Sequence, residues 1–277
     1  MPASAGGSER EMLNRAMVVV VMSAGGAHAG GGDPWADAVV DFDAGIGGVP
    51  GFDNPATVLG SPTRLTSPTD PFGGPTTPFR GAFGADEVLS IGEGGFVTVR
   101  FDEPVMDDPA NPFGIDLLVF GNSFYFDTSF PDGVAGPLSS DGGLIEVSAD
   151  GSFWTTVTGV AADGLLPTLG YSDLAEPFGA DAGTVETDFT LPVDPSFDPA
   201  GKTFAEIVSG YNGSGGGAGV DLGALGLSSI SYVRVSSPIG SGQQPEIDGF
   251  ADVVPSPGAA GLLGLVAAGA GARRKRA

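Results

Sequence analysis

Cysteine is absent from all 277 residues, and histidine occurs once, at His28. Without thiols no disulfide framework can form, so stability must come from a packed core or from bound ions. Export processing after Ala29 would remove His28 and leave a body with neither residue type. That excludes Ser-His-Asp and Cys-His nucleophile systems, thiolate or imidazole zinc sites, and histidine acid–base chemistry. Positive charge is nearly as scarce. Between Gly30 and Val254 only Arg64, Arg80, Arg100, Lys202 and Arg234 stand against 32 Asp and Glu, a balance of −27. Such a surface repels nucleic acid and anionic lipid and attracts cations, so no nucleic-acid partner is expected. The glycine-rich "YNGSGGGAGVDLGALG" has no phosphate-binding lysine and reads as a loop.

What is abundant is glycine (48), proline (23) and phenylalanine (18), with 41% hydrophobic residues overall. The apolar residues fall in short alternating bursts separated by turn-forming residues. Strands are read at "DAVVDFD", "EVLSI", "GFVTVRFD", "GIDLLVFGN", "GLIEVSAD", "SFWTTVT", "TVETDFT", "ISYVRVS" and "EIDGFADVV". In "GFVTVRFD" Phe96, Thr98, Arg100 and Asp102 share one face, and Val97, Val99 and Phe101 the other. "EVSADGSFWTTV" predicts a hairpin, with Asp150-Gly151 supplying positive φ, and Trp154 is expected in the core. "GKTFAEIVSGYNG" is the best helix candidate, about two turns. Nine short strands without interleaved helices predict an all-β, antiparallel sandwich or barrel.

The two ends read differently from this body. Residues 1–29 read as a signal peptide: Arg10 and Arg15 precede "AMVVVVM", and "AHA" offers small residues at a cleavage point. Residues 254–277 have three parts. Val254-Pro255-Ser256-Pro257 is followed by the apolar stretch Gly258–Ala272 and then by Arg273, Arg274, Lys275 and Arg276. Fifteen apolar residues are short of the roughly 20 that span a bilayer, and the basic cluster would hold its end in the cytoplasm. This order resembles the PEP-CTERM sorting signal of Gram-negative bacteria, with Ser256 where that family has glutamate. The resemblance implies an exosortase-type sorting enzyme and the export machinery as partners, and a transient inner-membrane contact through a short transmembrane segment. It implies delivery to the cell envelope, cell surface or extracellular matrix.

The body, residues 30–253, carries "LSIGEGGFVTVRFDEPV", "GIDLLVFGN", "IEVSADGSFWTTV", "SYVRVSSP" and "EIDGFADV" in that order. This series is similar to galactose-binding-like and discoidin-like domains. The resemblance implies a jelly-roll sandwich, with the signal helix and the hydrophobic sorting helix outside the domain.

Two sets of side chains are candidate sites. "DEPVMDDPANPFGID" crowds Asp102, Glu103, Asp107, Asp108, Asn111 and Asp116 into 15 residues, and Glu246, Asp248 and Asp252 share one face of the last strand. Calcium takes six to eight hard oxygen ligands, so Ca²⁺ is the candidate ion, with Asp107, Asp108, Asn111, Glu246, Asp248 and Asp252 as ligands. The stretch "FGNSFYFDTSF" places Asn122, Phe124, Tyr125 and Phe126 in an expected loop, where aromatic faces beside a polar side chain suit an exopolysaccharide. A structural or adhesive surface protein, not an enzyme, is the resulting expectation. A calcium-supported carbohydrate-binding module is the alternative, and a carboxylate-dependent glycan hydrolase a third reading.

Overall fold

The structure, a computed structural model, describes residues 32–254. The signal segment 1–29 lies outside the described residues, as do Pro255, Ser256, Pro257, Arg273, Arg274, Lys275 and Arg276. In chain order the strands begin with β1 (Ala38–Asp43), β2 (Leu65–Thr66), β3 (Gly74–Pro75), β4 (Leu89–Ser90), β5 (Phe96–Met106), β6 (Leu117–Gly121) and β7 (Phe124–Asp127). They continue with β8 (Ala135–Ser139), β9 (Gly142–Ser148), β10 (Thr155–Asp163), β11 (Ala218–Val220), β12 (Ser229–Ser236) and β13 (Glu246–Asp252). One short helix, α1 (Phe204–Tyr211), lies between β10 and β11.

Two antiparallel sheets carry the architecture. One has the order β1-β5-β12-β9-β10 and the other β11-β6-β13-β4. Alternation decides which side chains meet between them. Val97, Val99 and Phe101 of β5 join Val233 and Val235 of β12 and Ile145 and Val147 of β9. Leu117 and Val119 of β6 and Ile247 and Phe250 of β13 complete the same buried cluster. Ile247 and Phe250 differ in parity, yet both face inward, because the pairing of β13 with β6 shifts register between Ile247 and Gly249. Each such side chain contributes about 1.5–3 kcal/mol on burial.

A second, smaller core lies under α1 and the β7–β8 hairpin. Phe204, Ile207 and Tyr211, spaced three and four apart along α1, pack with Phe79, Tyr125 and Leu169. The helix starts where it does because Thr203 and Glu206 form a reciprocal capping box. It stops at Asn212, whose backbone is left-handed at φ 50°.

Three local expectations differ from the structure. "TVETDFT" forms no strand, only single bridges Tyr171–Glu186 and Asp188–Ser214. Its backbone is held by loops instead: Thr187 N–H donates to Gly170 O, and the Thr187 carbonyl accepts from Arg64 Nη2 at 2.8 Å. The β9–β10 turn is longer than a two-residue hairpin. Only Gly151 has positive φ there, and Asp150 Oδ1 accepts from the Ser152 and Phe153 amides. Trp154 is not in the core but half-buried on the outer sheet face, with the Arg234 guanidinium 4.0 Å from its ring.

Candidate functional site

The expected aromatic loop is strand β7, hairpinned with β8. Period-two alternation therefore splits its aromatics. Phe124 and Phe126 meet edge to face, with centroids 5.4 Å apart, and Phe126 is 54% exposed. Tyr125 points the other way and is buried; its hydroxyl donates to Leu165 O at 2.6 Å. Burial pushes its phenol up to about 12. Tyr125 thus serves the second core and presents no ring face to a ligand, because a strand turns successive side chains to opposite sides.

Phe124 and Asn122 help line a cavity of about 200 Å³ with Phe79, Arg80, Ala82 and Phe83. The Arg80 guanidinium is committed to backbone carbonyls, donating to Gly179 O at 2.6 Å and Pro75 O at 3.0 Å. Asn122 Nδ2 donates to Glu246 Oε2. The wall is therefore aromatic with a fixed polar rim.

Carboxylates gather behind this rim. Asp163 is wholly buried; its Oδ1 accepts from Ser123 N at 2.6 Å and its Oδ2 from Asp141 N at 2.7 Å. Burial pushes it up to about 6 against those hydrogen bonds, and the Asp141 charge adds to the rise. Burial also raises Asp141 and Glu246, Glu246 feeling the Asp141 charge as well. Asp163 also reaches a groove of about 330 Å³, with Leu138, Ser140, Val160, Leu166 and Ala218 among its walls. Nothing in the spacing of Asp141 and Asp163 marked them, since only the fold joins them. With both oxygens occupied by amides, Asp163 clamps two loops together.

The acids expected to bind calcium are redistributed. A seven-residue strand extends roughly 20 Å, so one ion cannot bridge Glu246, Asp248 and Asp252. Each instead finds its own surroundings. Glu246 meets Asn122, while Asp248, fully buried, accepts from Thr63 N and Thr63 Oγ1, both at 2.8 Å. Burial pushes Asp248 up to about 7. Asp252 lies beside Asp116 and Asp108 and is pushed up to about 7 by burial, then by those two charges.

The loop from β5 to β6 also divides. Asp102 pairs with Arg100 at 2.6 Å, away from the others. Asp107 sits next to Asp221: a β-carbon on Gly223 would lie 3.0 Å from Asp107 Oδ1 and 3.3 Å from Asp221 Oδ1. Asp108 and Asn111 converge on Asp116, whose Oδ1 accepts from Asp108 N at 3.2 Å and Asn111 Nδ2 at 2.9 Å. Among the described residues no group of three or more His, Cys, Asp or Glu side chains is placed to hold a metal ion.

No protein-family model matches this chain, and no curated protein matches its sequence. The described residues are mostly β, antiparallel sheets packed together with one short α-helix.

Proposed function

We propose that this chain is an exported surface or extracellular-matrix protein with a structural or adhesive role, sorted by a PEP-CTERM-like tail. The observation that carries this reading is the order of the tail: Val254-Pro255-Ser256-Pro257, fifteen apolar residues, then Arg273, Arg274, Lys275 and Arg276. The signal segment starts export, the apolar stretch halts in the inner membrane, and an exosortase-type enzyme acts near Val254–Pro257. The acidic body, with its balance of −27, suits a domain that stays soluble outside the cell. We read the two packed sheets as a jelly roll of the galactose-binding-like kind. The role is not enzymatic in this reading; the most deeply buried carboxylate of the Asp141–Asp163–Glu246 group has both oxygens spent on loop amides.

The experiment compares the full chain with one truncated after Val254, in a Gram-negative host that carries an exosortase. The full chain should appear at the surface or in the matrix, and the truncated chain should be released or remain periplasmic. Identical distributions would reject the tail as a sorting signal.

A second reading is carbohydrate binding, favoured by the aromatic cavity beside Asn122 and Phe124. It predicts saturable retention on exopolysaccharide that the double variant Phe124→Ala/Phe126→Ala abolishes.

A further inference from the structure

Both ends of the body leave it at one pole. Asp252 N donates to Pro34 O at 2.7 Å and Trp35 bridges Ala251, so the chain enters beside the strand from which it exits. Val253 N donates to Asp116 O at 2.9 Å, which sets that exit against the β5–β6 loop. The β11–β12 loop closes the same pole: its Ser228 O accepts from Asp107 N at 3.0 Å, and its Leu222 N donates to Asp116 Oδ2 at 3.0 Å. The opposite pole lies at the start of β5, where a β-carbon on Gly94 would be 3.0 Å from Ile239 Cγ1. β5 has 11 residues, so the two poles stand about 35 Å apart.

The tail ties the exit pole closely to whatever holds the apolar stretch. Only Pro255, Ser256 and Pro257 separate Val254 from Gly258, a reach of at most about 14 Å. With that stretch in a bilayer, the exit pole is kept at the interface and the Ile239 pole is kept off it. The side chains at the exit agree: Met106 is 53% exposed, Phe113 54% and Val254 49%. Phe113 adds an observation that owes nothing to the tail. Its backbone is left-handed at φ 61°, a strained conformation for a bulky residue, yet its ring stays in solvent. Strain of this kind concentrates at binding sites. The charge there is negative. Asp221 lies beside Gly114, whose β-carbon would be 3.3 Å from Asp221 Oδ2, and neither Asp107, Asp108 nor Asp221 enters an ion pair of the described residues. Such a pole is repelled by anionic lipid and accepted by a zwitterionic surface.

We infer that the pole built from the β5–β6 and β11–β12 loops docks on a zwitterionic bilayer surface, with Phe113 and Met106 at headgroup level and the Ile239 pole facing outward. The inference rests on the sorting reading, since the tail supplies the tether. It puts both processing points, after Ala29 and within Val254–Pro257, on the membrane side of the body. It also turns the aromatic cavity away from the membrane. Asn122 meets Glu246 at the start of β13, whereas the tail leaves from the other end of that strand, where Asp252 pairs with Leu117.

The lack of cysteine makes the test direct, because an introduced thiol is the sole labelling site. Phe113→Cys and Ile239→Cys, both at exposed positions, each carry a donor dye in the full chain. The labelled chains are reconstituted from mild detergent into phosphatidylcholine nanodiscs that contain a headgroup acceptor dye. With the labels about 35 Å apart, energy transfer should be about twofold or more stronger from position 113 than from position 239. Replacing part of the lipid by phosphatidylglycerol at low salt should weaken the transfer from position 113, and added NaCl should restore it. Equal transfer from the two positions, or stronger transfer from 239, in a chain that has entered the nanodisc overturns the orientation and leaves the tail reading standing. Unchanged or stronger transfer with phosphatidylglycerol overturns the zwitterionic assignment. A full chain that stays out of the nanodisc, as the chain truncated after Val254 should, defeats the tail reading and the orientation with it.

Discussion

Asp248→Asn should make the protein more stable at pH 8 and flatten its pH dependence. Asp248 is fully buried, and burial pushes its carboxyl from 3.8 up to about 7. A folded-state pKa above the unfolded value means that the folded chain keeps a proton the unfolded chain releases. The stabilisation is therefore complete below about pH 3.8 and is lost as pH rises through about 7. A gap of about three pH units corresponds to about 4 kcal/mol, of which about 2–3 kcal/mol is lost between pH 5 and pH 8. Asparagine keeps the local bonds: its Oδ1 can accept from Thr63 N, and its Nδ2 can donate to Thr63 Oγ1, the two atoms Asp248 now meets at 2.8 Å. Asp163 and Asp252 slope the same way, so the informative quantity is the difference between wild type and variant at each pH. Urea unfolding at pH 5 and pH 8 measures it. The reasoning fails if the variant loses as much stability between those pH values as wild type does.

Other consequences are simpler to check. Phe250→Ala, deleting a wholly buried ring between the two sheets, should cost about 3–5 kcal/mol in denaturant unfolding. Thr203→Ala removes the acceptor for Glu206 N and should cost about 1 kcal/mol, with amide exchange quickening first along α1. Phe124→Ala/Phe126→Ala should leave Tm close to wild type, since neither ring belongs to a main core cluster, while abolishing any exopolysaccharide retention measured on an affinity column.

Local pattern carried the sheets well and the site poorly. The alternation of Val97, Val99 and Phe101 located β5 and divided its faces, and "ISYVRVS" located β12. α1 lies within the expected stretch "GKTFAEIVSGYNG", and the structure fixes its start at the Thr203–Glu206 capping box. Strand β7 was hidden because Phe-Tyr-Phe is apolar throughout and its polar flanks read as loop. β11 was hidden among glycines, its pairing with β6 set by tertiary contact. For the acids, spacing along β13 suggested one face, but strand length and the shift at Ile247–Gly249 sent Glu246, Asp248 and Asp252 to three places. The approach of Asp252 to Asp108 and Asp116 spans well over a hundred residues, and no local pattern encodes it.

The most direct test of the account as a whole is the mass of the protein recovered from the surface of exosortase-bearing cells, with both ends sequenced. Export and sorting as argued predict a species beginning near Gly30 and ending, or modified, within Val254–Pro257. A surface species that retains the Arg273–Arg276 cluster, or an unprocessed chain confined to the cytoplasm, would contradict it.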